Sequence, residues 1–349
     1  MLDESLRRRL EALNREPLRP VGADTLPTVL PAAGPINGRG AGPLHPVFFP
    51  HAARASASIA GPTTVRPVGN LLECGEVVET SAGPHFRISQ PVEEIWKNGE
   101  RLVAARHAIL QQTSTANGHA VGPPSPENSF ETCSYRSEAR ALVASFPDRA
   151  LFLDLETCGL AGAALFLAGC LRRIDGRLTV ELLFARTYAE EKAVLVSLWD
   201  RVRAQDVLVT FNGKSFDWPM VQDRSTRYLL GRVAGAGPAG GERHFQDGPT
   251  RDGDRTSFPA DTAGPTVHVD ILHHARRRWR GRLPNCKLQT LERYICGRRR
   301  EGDIPGVQIP AAYQRFVQTG DPREMESVLF HNALDLVTLL DLSIRLAGD

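Results

Sequence analysis

The sequence predicts an α/β protein with a mixed central sheet, and three observations carry that reading. Apolar runs of strand length and amphipathic stretches of helical period fill the carboxyl-terminal three-fifths of the chain. The first three runs are joined by connections so short that they read as antiparallel hairpins. A helix, a strand, further helices, another strand and a long closing helix follow, which makes the sheet mixed.

The 349 residues are 42% apolar and 23% charged, the profile of a soluble globular protein with room for about two domains. Lys plus Arg number 42 against 40 acidic residues, so the net charge of +2 gives no strong overall attraction to nucleic acid or membrane. Gly159 to Leu171, the longest charge-free apolar stretch, falls short of the roughly 18 residues that span a bilayer, so no membrane partner is expected. MLDESLRRRLEAL at the amino terminus lacks the apolar core of a signal peptide. Cys74, Cys133, Cys158, Cys170, Cys286 and Cys296 form no CxxC pair and read as free thiols, which places the protein in the cytoplasm.

Taken in order, residues 1–62 read as a short docking helix (Leu2, Leu6, Leu10 and Leu13 on one side) and a Pro/Gly/Ala-rich linker. Residues 63–110 hold short strand-like runs at Leu71-Leu72, Val77-Val78 and His85–Ile88, then a helix over Arg101–Leu110. They are read as a small β-containing module. A second linker is expected at 111–136, and the main domain at 137–349. Within it, strands are expected at Ala150–Leu155, Ala164–Leu171, Leu178–Thr187, Asp206–Phe211 and Thr266–Ile271. Helices are expected at Arg136–Phe146, Glu190–Arg203 and Pro322–Leu346, with a disordered insertion at 231–264. The expected sheet is thus five-stranded and flanked by helices.

Candidate chemistry begins with Asp154 and Glu156 in LFLDLET. The period-two geometry of a strand sends both carboxylates from one face, ~6–7 Å apart. Two acids at the end of an apolar strand repel unless a cation lies between them or the strand end is wet. Asp217, in LVTFNGKSFDWP, follows a short apolar strand and a turn dipeptide, where open α/β sheets place their ligands. A helix-capping aspartate is the alternative there. Asp335, in VLFHNALDLVTLLDL, falls within the apolar stripe of the closing helix, so it needs either a metal or an arginine partner. Asp341 falls on the other side and reads as solvated. Four carboxylates without cysteine suit Mg²⁺ or Mn²⁺, two of which can drive an in-line phosphodiester displacement.

LFLDLETCGL, VTFNGKSFDWP and HNALDL together resemble the three exonuclease motifs of the DEDD superfamily, whose fold is ribonuclease H-like. The second motif is similar to the form in the proofreading domain of family B DNA polymerases. HVDIL, KLQTLE and GDIPGVQIPAAY, in that order, bring the likeness closest to bacterial YprB-type ribonuclease H-like proteins, over roughly residues 137–349. The resemblance implies a 3′–5′ exonuclease acting by a two-metal mechanism on DNA or RNA, on a single-stranded 3′ end. Asp154, Glu156, Asp217 and Asp335 would be the metal ligands. The family's tyrosine form places a water-positioning residue four before the last aspartate, here His331, and the histidine form five before, here Phe330. His331 thus has the histidine chemistry at the tyrosine spacing. A binding module that keeps the fold without hydrolysis is the alternative of another class.

Substrate contacts are expected from Thr157, Asn212, Lys214, Phe216, Trp279 and Lys287. The basic runs Arg276–Arg282 and Arg298–Arg300 read either as phosphate contacts or as solvated faces. Asp270 reads best as a helix cap. Gly213-Lys214-Ser215 is no P-loop, because Leu208 stands where its first glycine belongs. Gly235-x-Gly237-x-x-Gly240 holds Pro238 and opens no helix, which discards it as a dinucleotide site.

Overall fold

Seven strands form one sheet in the order β2-β3-β6-β5-β4-β7-β8 in a computed structural model that describes residues 63–65, 71–116, 130–159, 162–230 and 267–348. The strands are β2 (Gly75–Thr80), β3 (Gly83–Pro91), β4 (Ala150–Thr157), β5 (Leu165–Ile174), β6 (Arg177–Phe184), β7 (Val207–Thr210) and β8 (Val267–Asp270). Neighbours from β2 to β4 are antiparallel, whereas β4–β7 and β7–β8 are parallel. A separate parallel pair joins β1 (Thr63–Val65) to β9 (Arg298–Arg300). Contacts divide the chain into Met1–Ser56 and Ala57–Asp349, and every described residue belongs to the second unit. The docking helix and linker expected before residue 63, the insertion at 231–264 and the glycine pattern inside it lie outside the described residues.

The sheet corrects the five-strand expectation. All five expected strands are present, but the hairpin β2–β3, read from sequence as part of a separate module, extends the same sheet beyond β6. Phe86 stands opposite Phe184 and Ile88 opposite Leu182. Without this hairpin β6 would present a row of unpaired backbone groups along its outer edge.

The helices of nine or more residues are α1 (Gly99–Ala116), α2 (Phe130–Ser145), α3 (Glu191–Arg203), α4 (Asp217–Arg227), α5 (Ile271–Trp279), α6 (Ile309–Thr319) and α7 (Arg323–Leu346). Helices α1 and α2 take in both ends of the 111–136 stretch read as linker, because Gln, Ala, Ser and Thr are tolerated in a helix when no proline intervenes. Residues 117–129 lie outside the described residues. On β5, Gly169 faces α7, and the next residue, Cys170, lies beside Arg201 of α3. The two helices therefore cover opposite faces of the sheet.

Helix α7 is long and apolar enough to cross a bilayer by length and composition, but here it is a core helix. From Val328 to Leu346 only Asp335 and Arg345 are not buried. A helix apolar on nearly every side needs partners on every side. It rests on β4 and β5 and is flanked by α1, α5 and α6. The amino-terminal segment is tied to it as well, since Glu326 accepts hydrogen bonds from the backbone N–H groups of Leu71 (2.8 Å) and Leu72 (2.9 Å).

This all-round burial overturns the expectation for Asp341. Its carboxylate is fully buried and held by Arg106 (2.6 Å), Arg298 (3.1 Å) and Arg345 (2.8 Å). A one-sided amphipathic reading assumes a wet opposite face, which α7 does not have.

Candidate functional site

Strand β4 brings in the first two acids. Its alternation sends Asp154 and Glu156 from one face, paired in register with Gly169 and Leu167 of β5. That face lies under α7, where the Asn332 Nδ2 donates to Asp154 Oδ2 at 2.8 Å. Asn332 is fully buried, and its Oδ1 has no hydrogen-bond partner. The amide fits only because residue 169 is glycine: a Cβ there would lie 1.8 Å from Asn332 Oδ1.

Asp217 comes from the parallel side of the sheet. Strand β7 ends at Thr210, and the chain turns through Asn212 with φ at 67°, a left-handed conformation that asparagine tolerates. The loop is pinned by Asp270. This fully buried aspartate caps α5 by accepting from Leu272 N–H (3.1 Å), as expected, and also accepts from the N–H groups of Asn212 (2.8 Å) and Lys214 (3.1 Å). So anchored, the loop opens α4 at Asp217, whose carboxyl group interacts with its own N–H and that of Leu155 on β4.

Helix α7 supplies His331, Asn332 and Asp335. Arg300 Nη2 bonds Asp335 Oδ1 at 2.5 Å, and His331 Nε2 stands 3.3 Å from Asp335 Oδ2. The other imidazole nitrogen, Nδ1, meets Asp303 Oδ1 at 2.7 Å. Of the two partners expected for Asp335, a metal or an arginine, the arginine is present.

The electrostatics divide the acids into two groups. Burial, then the negative charges of Asp335, Glu156 and Asp217, push the Asp154 carboxyl well above its ordinary value. Glu156 rises to about 8, again mainly through burial, with His331 pulling the other way. Asp217 rises to about 7 through burial, opposed by the backbone N–H groups of Asp217 and Leu155. No Arg or Lys forms an ion pair with these three among the described residues. For Asp335 burial raises the value, but Arg300 and His331 outweigh it and hold the carboxyl below the usual range. Burial works against a charge on His331, yet its bonds to Asp303 and Asp335 push the imidazole up to about 11.

A pocket of about 260 Å³ opens beside these acids, lined among others by Glu156, Thr157, Phe216, Asp217, Met220 and Pro310. Thr157 and Phe216, two of the expected substrate contacts, thus border it; Phe216 is half exposed. Asn212 lies in the turn anchored by Asp270 and is not among the residues lining the pocket. Lys214 is committed to Glu138 of α2, at 2.9 Å, and that carboxylate also meets His274 Nε2 at 2.9 Å. Trp279 packs partly buried against the core, and Lys287 is exposed; neither lines the pocket.

The Arg298–Arg300 run is not a phosphate-binding strip. Strand alternation turns Arg298 and Arg300 inward and only Arg299 outward. Arg298 joins Asp341 and lies over the Trp96 ring at 4.5 Å, while Arg300 joins Glu292 (2.5 Å), Asp303 (3.3 Å) and Asp335. Asp303 and Glu292 had no visible role in the sequence; only their place in the GDIPGVQIPAAY and KLQTLE motifs marked them out.

Among the described residues no group of three or more His, Cys, Asp or Glu side chains is set to hold a metal ion. The donor chemistry nonetheless fits a hard cation. Asp154, Glu156 and Asp217 offer hard carboxylate oxygens whose charged forms burial and neighbouring carboxylates disfavour, with no Arg or Lys paired to them among the described residues.

Comparison with known proteins places this geometry in context. Residues 151–347 match the family model RNase_H_2 of the RNase H superfamily. Over 201 residues the chain is 32% identical to a protein of Bacillus subtilis described as uncharacterized protein YprB. That match takes in 56% of this chain and 41% of the relative, so the chain spans well under half of that protein's length.

Proposed function

Since the chain belongs to the RNase H superfamily, we propose that it is a metal-dependent nuclease that hydrolyses phosphodiester bonds of DNA or RNA, acting from a single-stranded 3′ end. One observation carries the reading. Three carboxylates from β4 and α4 lie together beside an open pocket, and no Arg or Lys among the described residues forms an ion pair with them. Half-buried and this close together, such a set is costly in its charged form unless a cation joins it.

Asp154, Glu156, Asp217 and Asp335 would hold Mg²⁺ or Mn²⁺, which makes an attacking water more acidic and stabilises a leaving oxygen. The chain's own residues do the rest. Asn332 fixes the rotamer of Asp154 through its 2.8 Å bond. Thr157, Phe216 and Met220 shape the pocket for the terminal nucleotide, with the exposed Phe216 ring free to meet a base. Exposed arginines between Arg276 and Arg282, together with Lys287, offer phosphate contacts farther along the strand. His331 has both ring nitrogens directed at carboxylates and a raised affinity for its proton. It therefore orients Asp335 as a donor instead of serving as the base that takes a proton from water.

The Arg300–Asp335 pair supports a second reading, a binding module that retains the fold without turnover. One gel separates the two. Purified protein is mixed with 3′- and 5′-labelled DNA and RNA oligonucleotides, with Mn²⁺ and with chelator. The nuclease reading requires metal-dependent shortening from the 3′ end, abolished in Asp154→Asn and Asp335→Asn. Parental rates in both variants refute the site, and intact oligonucleotides with the parent favour the binding module.

A further inference from the structure

Outside the three motifs, the segment following the π-helical turn Glu292–Cys296 contributes two charged side chains that reach the candidate site. Strand β9 is held by its parallel pairing with β1, which sets Val65 opposite Arg300. Alternation along β9 aims Arg300 inward, and Gly302, with φ at 73°, turns the chain so that Asp303 follows it. The four groups Arg300, Asp335, His331 and Asp303 close a ring. Arg300 Nη2 meets Asp335 Oδ1 at 2.5 Å, and Asp335 Oδ2 faces His331 Nε2 at 3.3 Å. His331 Nδ1 meets Asp303 Oδ1 at 2.7 Å, and Asp303 Oδ2 returns to Arg300 Nη1 at 3.3 Å. The side chains are 6–15% exposed, so little water competes for these bonds.

Each member uses a different atom for each neighbour, and the ring is braced from outside. Glu292 holds Arg300 Nε at 2.5 Å, and the Gln289 amide donates to Asp303 Oδ2 at 3.2 Å. Helix α7 alone does not fix the rotamers of His331 and Asp335. A helical pair four residues apart meets through flexible torsions, and an isolated pair of this kind is weak. Asp303 supplies the missing constraint, because a ring nitrogen bound to a second carboxylate sets the plane of the imidazole. The chain runs on through Gly306 to Pro310 in the first turn of α6, both of which line the pocket, so the ring and the pocket wall are parts of one segment.

We propose that Asp303 is a positioning residue: with Arg300 as its partner, it sets the orientation of His331 and, through it, aims the Asp335 carboxylate at the cleft. The effect on turnover rests on the nuclease reading above; the hydrogen bonds themselves do not.

The test compares Asp303→Ala and Asp303→Glu with the parent by two readouts. In the Mn²⁺-dependent oligonucleotide assay, Asp303→Ala is expected to lower kcat by about 10–100-fold, the usual cost of losing a partner behind a metal-binding group. KM stays within about twofold, since Asp303 does not line the pocket. Asp303→Glu restores part of kcat, which a merely structural loss would not do. The second readout is NMR of ¹⁵N-histidine-labelled protein without metal, with His331 assigned through His331→Gln. A protected Nδ1–H proton is expected in the parent and absent in Asp303→Ala, with the other histidine signals unchanged. An unprotected His331 ring in the parent, or an unaltered kcat in a folded Asp303→Ala, overturns the proposal. If the parent itself cleaves nothing, the nuclease reading fails, and the NMR result alone decides whether Asp303 holds the ring.

Discussion

Two sets of carboxylates lie in this fold, one sealed in the core and one half-buried at a cleft, and the protein treats them in opposite ways. Asp341, at the sealed end, is surrounded by Arg106, Arg298 and Arg345. Burial alone would raise its pKa, but those arginines outweigh it and hold the carboxyl below the usual range. Asp154, Glu156 and Asp217, at the cleft, have no such partners among the described residues and are pushed up instead. The fold thus neutralises with arginines the acid it uses as a joint and sets no arginine or lysine among the described residues against the acids that border a pocket. Asp335 stands between the two cases, bound by one arginine yet beside the cleft. A carboxylate cluster that a structure leaves unbalanced is a stronger sign of function than one it neutralises internally.

The sharpest way to break the contrast is to remove one acid from each set. Asp341→Ala leaves three arginines facing an empty, buried position and should cost about 3–5 kcal/mol in urea unfolding. Asp154→Asn should leave metal-free stability unchanged or improved, because it removes a charge that burial disfavours. If the two variants lose the same stability, the contrast is false.

Gly169→Ala comes next. Its Cβ would fall 1.8 Å from the Asn332 amide oxygen, so Asn332 must shift, and a loss of about 1–3 kcal/mol is expected from overpacking. Metal-dependent turnover should fall with it, because Asn332 no longer fixes Asp154. A melting temperature equal to the parent's counts against the packing described.

The pH dependence of the metal-free protein is a finer test. The folded value is raised to about 8 for Glu156 and about 7 for Asp217, against ordinary values of 4.5 and 3.8. Between those limits the folded state binds protons that the unfolded chain does not, so the cleft's contribution to stability falls as pH rises from about 4 to 8. Glu156→Gln should flatten that slope in urea titrations. For Asp341, whose folded value is depressed, the stabilisation is present above 3.8 and is lost as pH falls below it.

The smallest effect is expected at the exposed arginines of α5. Arg276→Gln should change stability by no more than about 0.5 kcal/mol while reducing the salt dependence of oligonucleotide binding. An unchanged salt slope would mean that this arginine lies off the strand's path.

Much of the fold was legible because it is written in local patterns. The five strands of the carboxyl-terminal segment, helix α3 and helix α7 lie within a few residues of where periodicity places them. Asp154 and Glu156 share a face because strand alternation requires it, and Asp270 caps α5 as its position suggested. What the sequence hid depends on distant partners. The pairing of β3 with β6 joins segments about a hundred residues apart, and no local pattern announces it. The burial of Asp341 follows from packing on all sides of α7. The inward arginines of β9 looked like a basic strip because a run of identical residues conceals its alternation. Asp303 could be seen only once β9 and its turn had been placed against α7.

Calorimetric titration of Mn²⁺ into the metal-free protein measures most directly whether the unbalanced carboxylates await a cation. Saturable binding is expected in the parent, weakened at least about tenfold in Asp154→Asn and in Asp217→Asn and unchanged in Arg276→Gln. No saturable heat with the parent, or equal affinity in the parent and both aspartate variants, would contradict a cation-binding cleft.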